Sequence, residues 1–204
     1  MTLRTIGLVD YGAGNIASVY RSLHRLGFRC RVSNTPAVFE QTDLLLMPGV
    51  GAFPSAMEAL QRLELVQYLR DWVSRGKPLV GICLGMQLLA DSSTEYGTTA
   101  GLGLIPGRVN AIDQSDWHIG WNALEIVNDD PIFKASGGQS FYFNHSYVFN
   151  SEPEHRVAVA RLESHSLTVA VRRENCIGMQ FHPEKSQAAG AALLSNVIEG
   201  LCNA

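Results

Sequence analysis

Three short runs of nearly unbroken apolar residues, Thr5–Asp10, Leu44–Met47 and Pro78–Cys83, constrain this chain more than any other feature. Each has the length of a strand and none alternates with polar residues, so each must be covered on both faces. The segments between them supply the covers. Gly12-Ala13-Gly14 turns the chain after the first run, and Asn15 caps a helix through about Leu26, stopped by Gly27. A short strand is expected near Cys30–Ser33. Pro54–Val73 reads as one long amphipathic helix, with Met57, Leu60, Leu63 and Leu69 apolar and Gly76 just beyond its end. Leu84 begins another helix, running to about Ala90, directly after the third strand. Repeated β-α-β units of this kind imply a parallel sheet with helices on both sides.

From Leu102 the texture changes. Val109–Ile112, Ala123–Val127, Phe141–Phe149, Val157–Leu162, Leu167–Val171 and Ile177–Phe181 read as strands on short turns, many of them antiparallel, before a last helix over about Ala188–Leu201. The expected fold is α/β, a mostly parallel open sheet flanked by helices with additional antiparallel strands. Length and the absence of a repeat or linker predict one domain over residues 1–204. In such folds the active site lies outside the carboxyl ends of the strands. Asp10–Asn15, Pro48–Gly51 and Gly81–Gly85 all fall there.

Apolar residues make up 46% of the chain and charged ones 17%, enough to fill a core. The formal net charge of −3, without a long Lys/Arg run, argues against nucleic-acid or anionic-membrane surfaces, which require a basic field. No apolar stretch is long enough to cross a bilayer, and Met1-Thr2-Leu3-Arg4 carries no signal-peptide pattern. The four cysteines, Cys30, Cys83, Cys176 and Cys202, form no CxxC pair, so a zinc knuckle, a dithiol motif or a disulfide framework is not expected. A reduced, cytoplasmic protein follows, with no metal and no cofactor, in which one thiol is free to react.

Gly81-Ile82-Cys83-Leu84-Gly85 places that thiol at a strand-to-helix junction, the cysteine counterpart of the G-x-S-x-G elbow. The glycines admit a turn too tight for larger side chains, and the helix after it directs N–H groups toward the sulfur. Cys30, Cys176 and Cys202 lack such surroundings and read as core residues. In Phe181-His182-Pro183-Glu184 the His and Glu, two apart in extended chain, share a side, so Glu184 can hold the ring while His182 takes the thiol proton. The N–H of Leu84 is one candidate oxyanion donor, and the loop Pro48-Gly49-Val50-Gly51 can bring a second.

These segments resemble the class I, triad-type glutamine amidotransferases: Gly81–Gln87 and Gln180–Glu184 are similar to motifs shared across that family. Further segments are similar to its branch of glutaminase subunits of imidazole glycerol phosphate synthase. They are Asp10–Asn15, Pro48–Phe53, Gly101–Gly107, His118–Asn122, Tyr142–Tyr147 and Gln180–Ser186. Two positions depart from that pattern: Trp117 stands where Pro is usual, and Asn144 where Val is usual. The resemblance implies that Cys83 attacks the side-chain amide of L-glutamine, that His182 helps expel ammonia, and that water then releases glutamate from a thioester. It also implies oxyanion donors at Val50 and Leu84. Gln87 and Glu95 would bind the α-amino end of glutamine, and Gly51 with the His145-Ser146-Tyr147 backbone its other contacts, the carboxylate among them. The implied partner is a (β/α)₈-barrel cyclase, met as a heterodimer by Asp10–Asn15, Pro48–Phe53 and Trp121-Asn122, since ammonia must travel sheltered from water and this chain is too short to hold the acceptor site. A donor N–H near Val50 that turns inward only when partner and acceptor bind would prevent wasteful hydrolysis; Gly49 and Gly51 make such a turn cheap.

Other readings compete. Gly12-Ala13-Gly14-Asn15-Ile16-Ala17 after a strand fits a dinucleotide fingerprint, but Ser33 and Asn34 stand where the acid that binds ribose is needed. A stand-alone cysteine hydrolase could use the same triad, without a partner. A binding module gives no reason for an elbow cysteine together with His-x-Glu. A glutaminase serving another synthase fits the Pro-Gly-Val-Gly and His-Ile-Gly-Trp-Asn segments less well.

Overall fold

The computed structural model describes residues 4–112, 117–163 and 165–203; the expected absence of a leader at residues 1–3 lies outside them. The first half runs β1 (Thr5–Val9), α1 (Ile16–Arg25), β2 (Arg29–Ser33), α2 (Pro36–Phe39), β3 (Leu44–Gly49), α3 (Phe53–Arg62), α4 (Leu65–Ser74), β4 (Leu79–Cys83) and α5 (Leu84–Gln87). The second half begins with the short strands β5 (Ser92–Ser93) and β6 (Thr99–Ala100), followed by β7 (Gly107–Ala111), β8 (His118–Ala123) and β9 (Glu125–Ile126). It continues with β10 (Ser140–His145), β11 (Tyr147–Ser151), β12 (Arg156–Leu162), β13 (His165–Arg173), β14 (Cys176–Met179) and α6 (Gln187–Cys202).

Eight strands form the main sheet, in the order β2-β1-β3-β4-β14-β13-β12-β9. The first five are parallel and the last three join antiparallel. The apolar runs divide between its faces with the two-residue period of a strand. Leu44 and Leu46 join the core on the side of Leu23 (α1) and Leu193 (α6). Leu45 and Met47 join the core on the side of Leu60 (α3) and Trp72 (α4). That is why these strands have no polar face.

Pro48 lies within β3, one residue from its end. Its carbonyl accepts from the Tyr11 hydroxyl, 2.8 Å away, on the β1 side, and there the ladder has already stopped at Leu46. A strand residue directs its N and its C=O to the same side, so the donor that proline lacks is not missed.

Three expectations need correction. The helix over Pro54–Val73 is two helices, broken where Glu64 adopts a left-handed φ of 57°. The strand over Phe141–Phe149 is also two, β10 and β11, parting at Ser146, because β10 pairs with β8 while β11 pairs with β7 in a different sheet. The motif His118–Asn122 lies in a strand of its own, β8. In addition, α5 stops at Gln87 instead of running to Ala90.

Candidate active site

The end of β4 carries the strongest local distortion near the carboxyl ends of the strands. Cys83 lies at φ 56°, ψ −113°, a conformation that costs a non-glycine residue about 1–3 kcal/mol and persists only when its surroundings impose it. Those surroundings are visible at two glycines. A Cβ on Gly81 would stand 2.4 Å from the Gly85 carbonyl oxygen, and one on Gly85 would stand 1.9 Å from the Met47 carbonyl oxygen. Backbone thus contacts backbone on both sides of the turn, and the thiol is turned out of the sheet.

Next to β4 in the sheet, the chain leaving β14 carries His182 and Glu184. His182 Nδ1 and Glu184 Oε1 are 2.9 Å apart, both side chains almost wholly buried. Cys83 and His182 share one cavity wall, and Cys83 is the strongest of the groups that favour a charged ring. Burial disfavours a charged ring here, but Cys83, then Glu184, outweigh it and push His182 up to about 9. The remaining thiols differ. Burial raises Cys30 and Cys202 to about 11 and Cys176 to about 12, so they stay protonated and unreactive near neutrality.

Cys83 and His182 open into a cavity of about 480 Å³. Val50, Gly51, Leu84, Gln87, Glu95, His145, Ser146 and Tyr147 line it as well, so every residue expected to bind or cleave glutamine is at its wall except Glu184, which stands behind His182. Gly49 is wedged against the elbow: its Cβ would meet the Tyr11 hydroxyl at 2.4 Å and the Gly85 nitrogen at 2.9 Å. Its glycine is therefore required for space, whereas Gly51, at φ +105° with nothing near its missing Cβ, is required for conformation. Glu95 Oε2 accepts from the Phe53 N–H at 2.7 Å, which ties the cavity wall to the start of α3.

A chain of polar contacts crosses the floor. The Tyr147 carbonyl accepts from His145 Nδ1 (2.8 Å) and from Gln87 Nε2 (3.1 Å). Since the carbonyl can only accept, His145 presents an unprotonated Nε2 to His118 Nδ1, 3.0 Å away, and His118 in turn accepts from Asn122 Nδ2 at 3.1 Å. Burial is the leading reason both rings stay neutral, with His118 lowered to about 4 and His145 to about 3.

Sequence reasoning quoted two side chains here within motifs but gave neither a role. Tyr11 braces Pro48, and Gln180 places Nε2 3.8 Å from the Cys83 sulfur. Gln180, His182 and Glu184 alternate along extended chain, and that period was the available signal. Of the two departures, Asn144 points its side chain outward and offers only its carbonyl, 4.0 Å from the sulfur. Trp117 is 59% exposed near the equally open Ile119 and Trp121, and nothing in the structure explains its replacement of proline. Among the described residues no His, Cys, Asp and Glu cluster could hold a metal ion, and no helix is long and apolar enough to cross a membrane.

Comparison with known proteins places the chain in a family. Residues 7–200 match the family described as glutamine amidotransferase class-I. The imidazole glycerol phosphate synthase subunit HisH of Lacticaseibacillus casei is 43% identical over 198 residues, 95% of each chain. The same subunit of Shouchella clausii is 41% identical over 207 residues, covering 96% of this chain and 99% of its own. A solved structure described as a glutamine amidotransferase superposes with a TM-score of 0.76 at 22% identity, over 98% of this chain and 99% of that one, a likeness of fold. With an elbow thiol, a braced imidazole and a family match over nearly its whole length, this chain belongs to the class-I glutamine amidotransferases.

Proposed function

We propose that this chain is the glutaminase subunit of an imidazole glycerol phosphate synthase, a single cytoplasmic domain that releases ammonia from L-glutamine for a cyclase partner. The observation that carries the reading is one cavity in which the strained Cys83 meets His182, itself held by Glu184. The sulfur attacks the amide carbon of the glutamine side chain, and the oxyanion is met by the N–H groups of Leu84 and Val50. His182 protonates the departing nitrogen, then takes a proton from water as that water cleaves the γ-glutamyl thioester to glutamate. Gln87 has its Nε2 committed to Tyr147, and Glu95 its Oε2 to Phe53, so each offers Oε1 to the ammonium of the substrate. Gly51 and the backbone at His145-Ser146-Tyr147 border the other side of the cavity, where the α-carboxylate belongs.

Free ammonia takes up a proton in neutral water and loses its nucleophilicity, so the product must pass directly to an acceptor. A (β/α)₈-barrel cyclase, paired as a heterodimer, would supply that acceptor. Val50 on the cavity wall, and Ile119 and Trp121 on β8 with Trp117 just before it, offer it exposed apolar side chains. Glutamate release measured alone, then with the cyclase and its phosphoribulosyl formimino nucleotide, tests the proposal. Strong stimulation is expected, together with complete loss in Cys83→Ala. Equal turnover with and without the partner would instead indicate a stand-alone hydrolase, and activity retained in Cys83→Ala would remove the nucleophile.

A further inference from the structure

Gln180 is fully buried beside the reacting sulfur, and none of the steps above uses its side chain. Burying a carboxamide costs about 1–3 kcal/mol unless its hydrogen bonds are made, and a leucine or methionine would fill the same space without that cost. Its contacts have a defined direction. Gln87 faces both the Tyr147 carbonyl, at 3.1 Å, and the Gln180 amide, at 3.0 Å. Because a backbone carbonyl only accepts, the atom of Gln87 facing it is Nε2, which therefore also donates to Gln180. Gln180 must receive that bond on Oε1. Its Nε2 is left directed at Cys83 Sγ, 3.8 Å away. Thus one main-chain carbonyl, acting through two side-chain amides, determines that a donor and not an acceptor faces the sulfur.

The sulfur has two further polar neighbours. The Asn144 carbonyl, 4.0 Å away, can only accept and so suits the S–H form. The His182 ring suits the anion. We propose that Gln180 is a positioning residue for Cys83, whose amide N–H holds the sulfur as an anion against His182 and whose orientation is set by Gln87 and Tyr147. This rests on Cys83 being the nucleophile, as proposed above. It also links two parts of the site, because Gln87 is the residue whose free oxygen meets the ammonium of glutamine. Hydrogen bonds in such a chain strengthen one another, so a cation at Gln87 Oε1 would reinforce the donor at the far end.

The other ionisable groups around the sulfur are His182 with Glu184 behind it, Tyr11 from the loop after β1, Glu95 and His145 in the cavity wall, and Lys185 at its edge. All remain in place when Gln180 is changed, so a shift can be assigned to the amide.

The test is the rate at which iodoacetamide alkylates Cys83 in the full chain as pH varies, read by mass spectrometry at that residue. It requires neither partner nor turnover. Gln180→Glu keeps the size of the side chain and an oxygen for Gln87 but sets negative charge against the sulfur. Gln180→Met keeps the volume and removes the donor. The methionine variant is expected to move the alkylation midpoint up by about one pH unit, with about a tenfold slower reaction at neutral pH. The glutamate variant moves it further. In the complex, kcat for glutamine falls in both while KM changes little. A wild-type midpoint in either variant, with an unchanged melting temperature, overturns the proposal, and each variant decides independently if the other fails to fold. Cys83→Ala separates the underlying reading: glutamine hydrolysis surviving there rejects the nucleophile, whereas the alkylation midpoint reports on Gln180 alone.

Discussion

The proton held on His182 has a consequence for the stability of the whole chain. His182 is raised to about 9, chiefly by Cys83 acting against burial, with Glu184 adding to it. In the unfolded chain the ring titrates near ~6.5. The folded protein therefore holds a proton that the unfolded one has lost, and this stabilisation is complete below ~6.5 and drains away as pH rises through about 9. The urea midpoint is expected to fall across that window. Cys83→Ala, which removes the neighbour most responsible for the raised value, should fall less steeply, and an identical slope would show that the ring owes its proton to something else. The pair could be read from the sequence because each partner lay within a compact motif, Gly81–Gly85 or His182–Glu184. That the two motifs meet could not be read, since 99 positions separate Cys83 from His182 and only the parallel pairing of β4 with β14 brings their ends together.

Among the elements, strands were more legible than helices. A fully apolar run has few alternatives to a buried strand, and β1, β3 and β4 appear close to where their residues require. The long helix failed on phase. α3 buries Met57 and Leu60, and a straight continuation would direct Gln67 and Asp71 inward. α4 instead buries Leu65, Leu69 and Trp72, one residue out of step. Glu64 absorbs the slip in a left-handed conformation that glycine adopts at no steric cost. Glu64→Gly should therefore stabilise the protein by about 0.5 kcal/mol, the steric relief exceeding the extra entropy of glycine in the unfolded chain. A loss of stability in urea denaturation would mean that the break is not strained.

For the whole molecule, the outermost question is what covers β8. Strand alternation buries His118 and leaves Ile119 and Trp121 open, at 58% and 51% exposure, on the side of the sheet end where Tyr142 and Lys185 also lie. Exposed apolar side chains of this kind suit the surface on which the proposed partner would dock. Ile119→Ser should leave the melting temperature and the unassisted glutaminase rate unchanged while weakening partner binding by about tenfold, roughly 1.4 kcal/mol. Titration of the proposed cyclase partner against glutamate release measures this, and unaltered affinity would place the interface elsewhere.

What the sequence alone determined was chemistry and local shape: which thiol could be turned out at an elbow, which imidazole had a carboxylate within reach, which runs had to be buried on both faces. These depend on residues a few positions apart, where the covalent chain itself limits the geometry. The tertiary structure alone decided the remainder: that Gly49 must be small because Tyr11 and Gly85 stand against it, that Phe141–Phe149 divides between two sheets, and that Gln180 directs a donor at Cys83. Each of these rests on contacts between segments distant along the chain. Local propensity carries no information about them, because they come into being only when the strands have taken their order in the sheet.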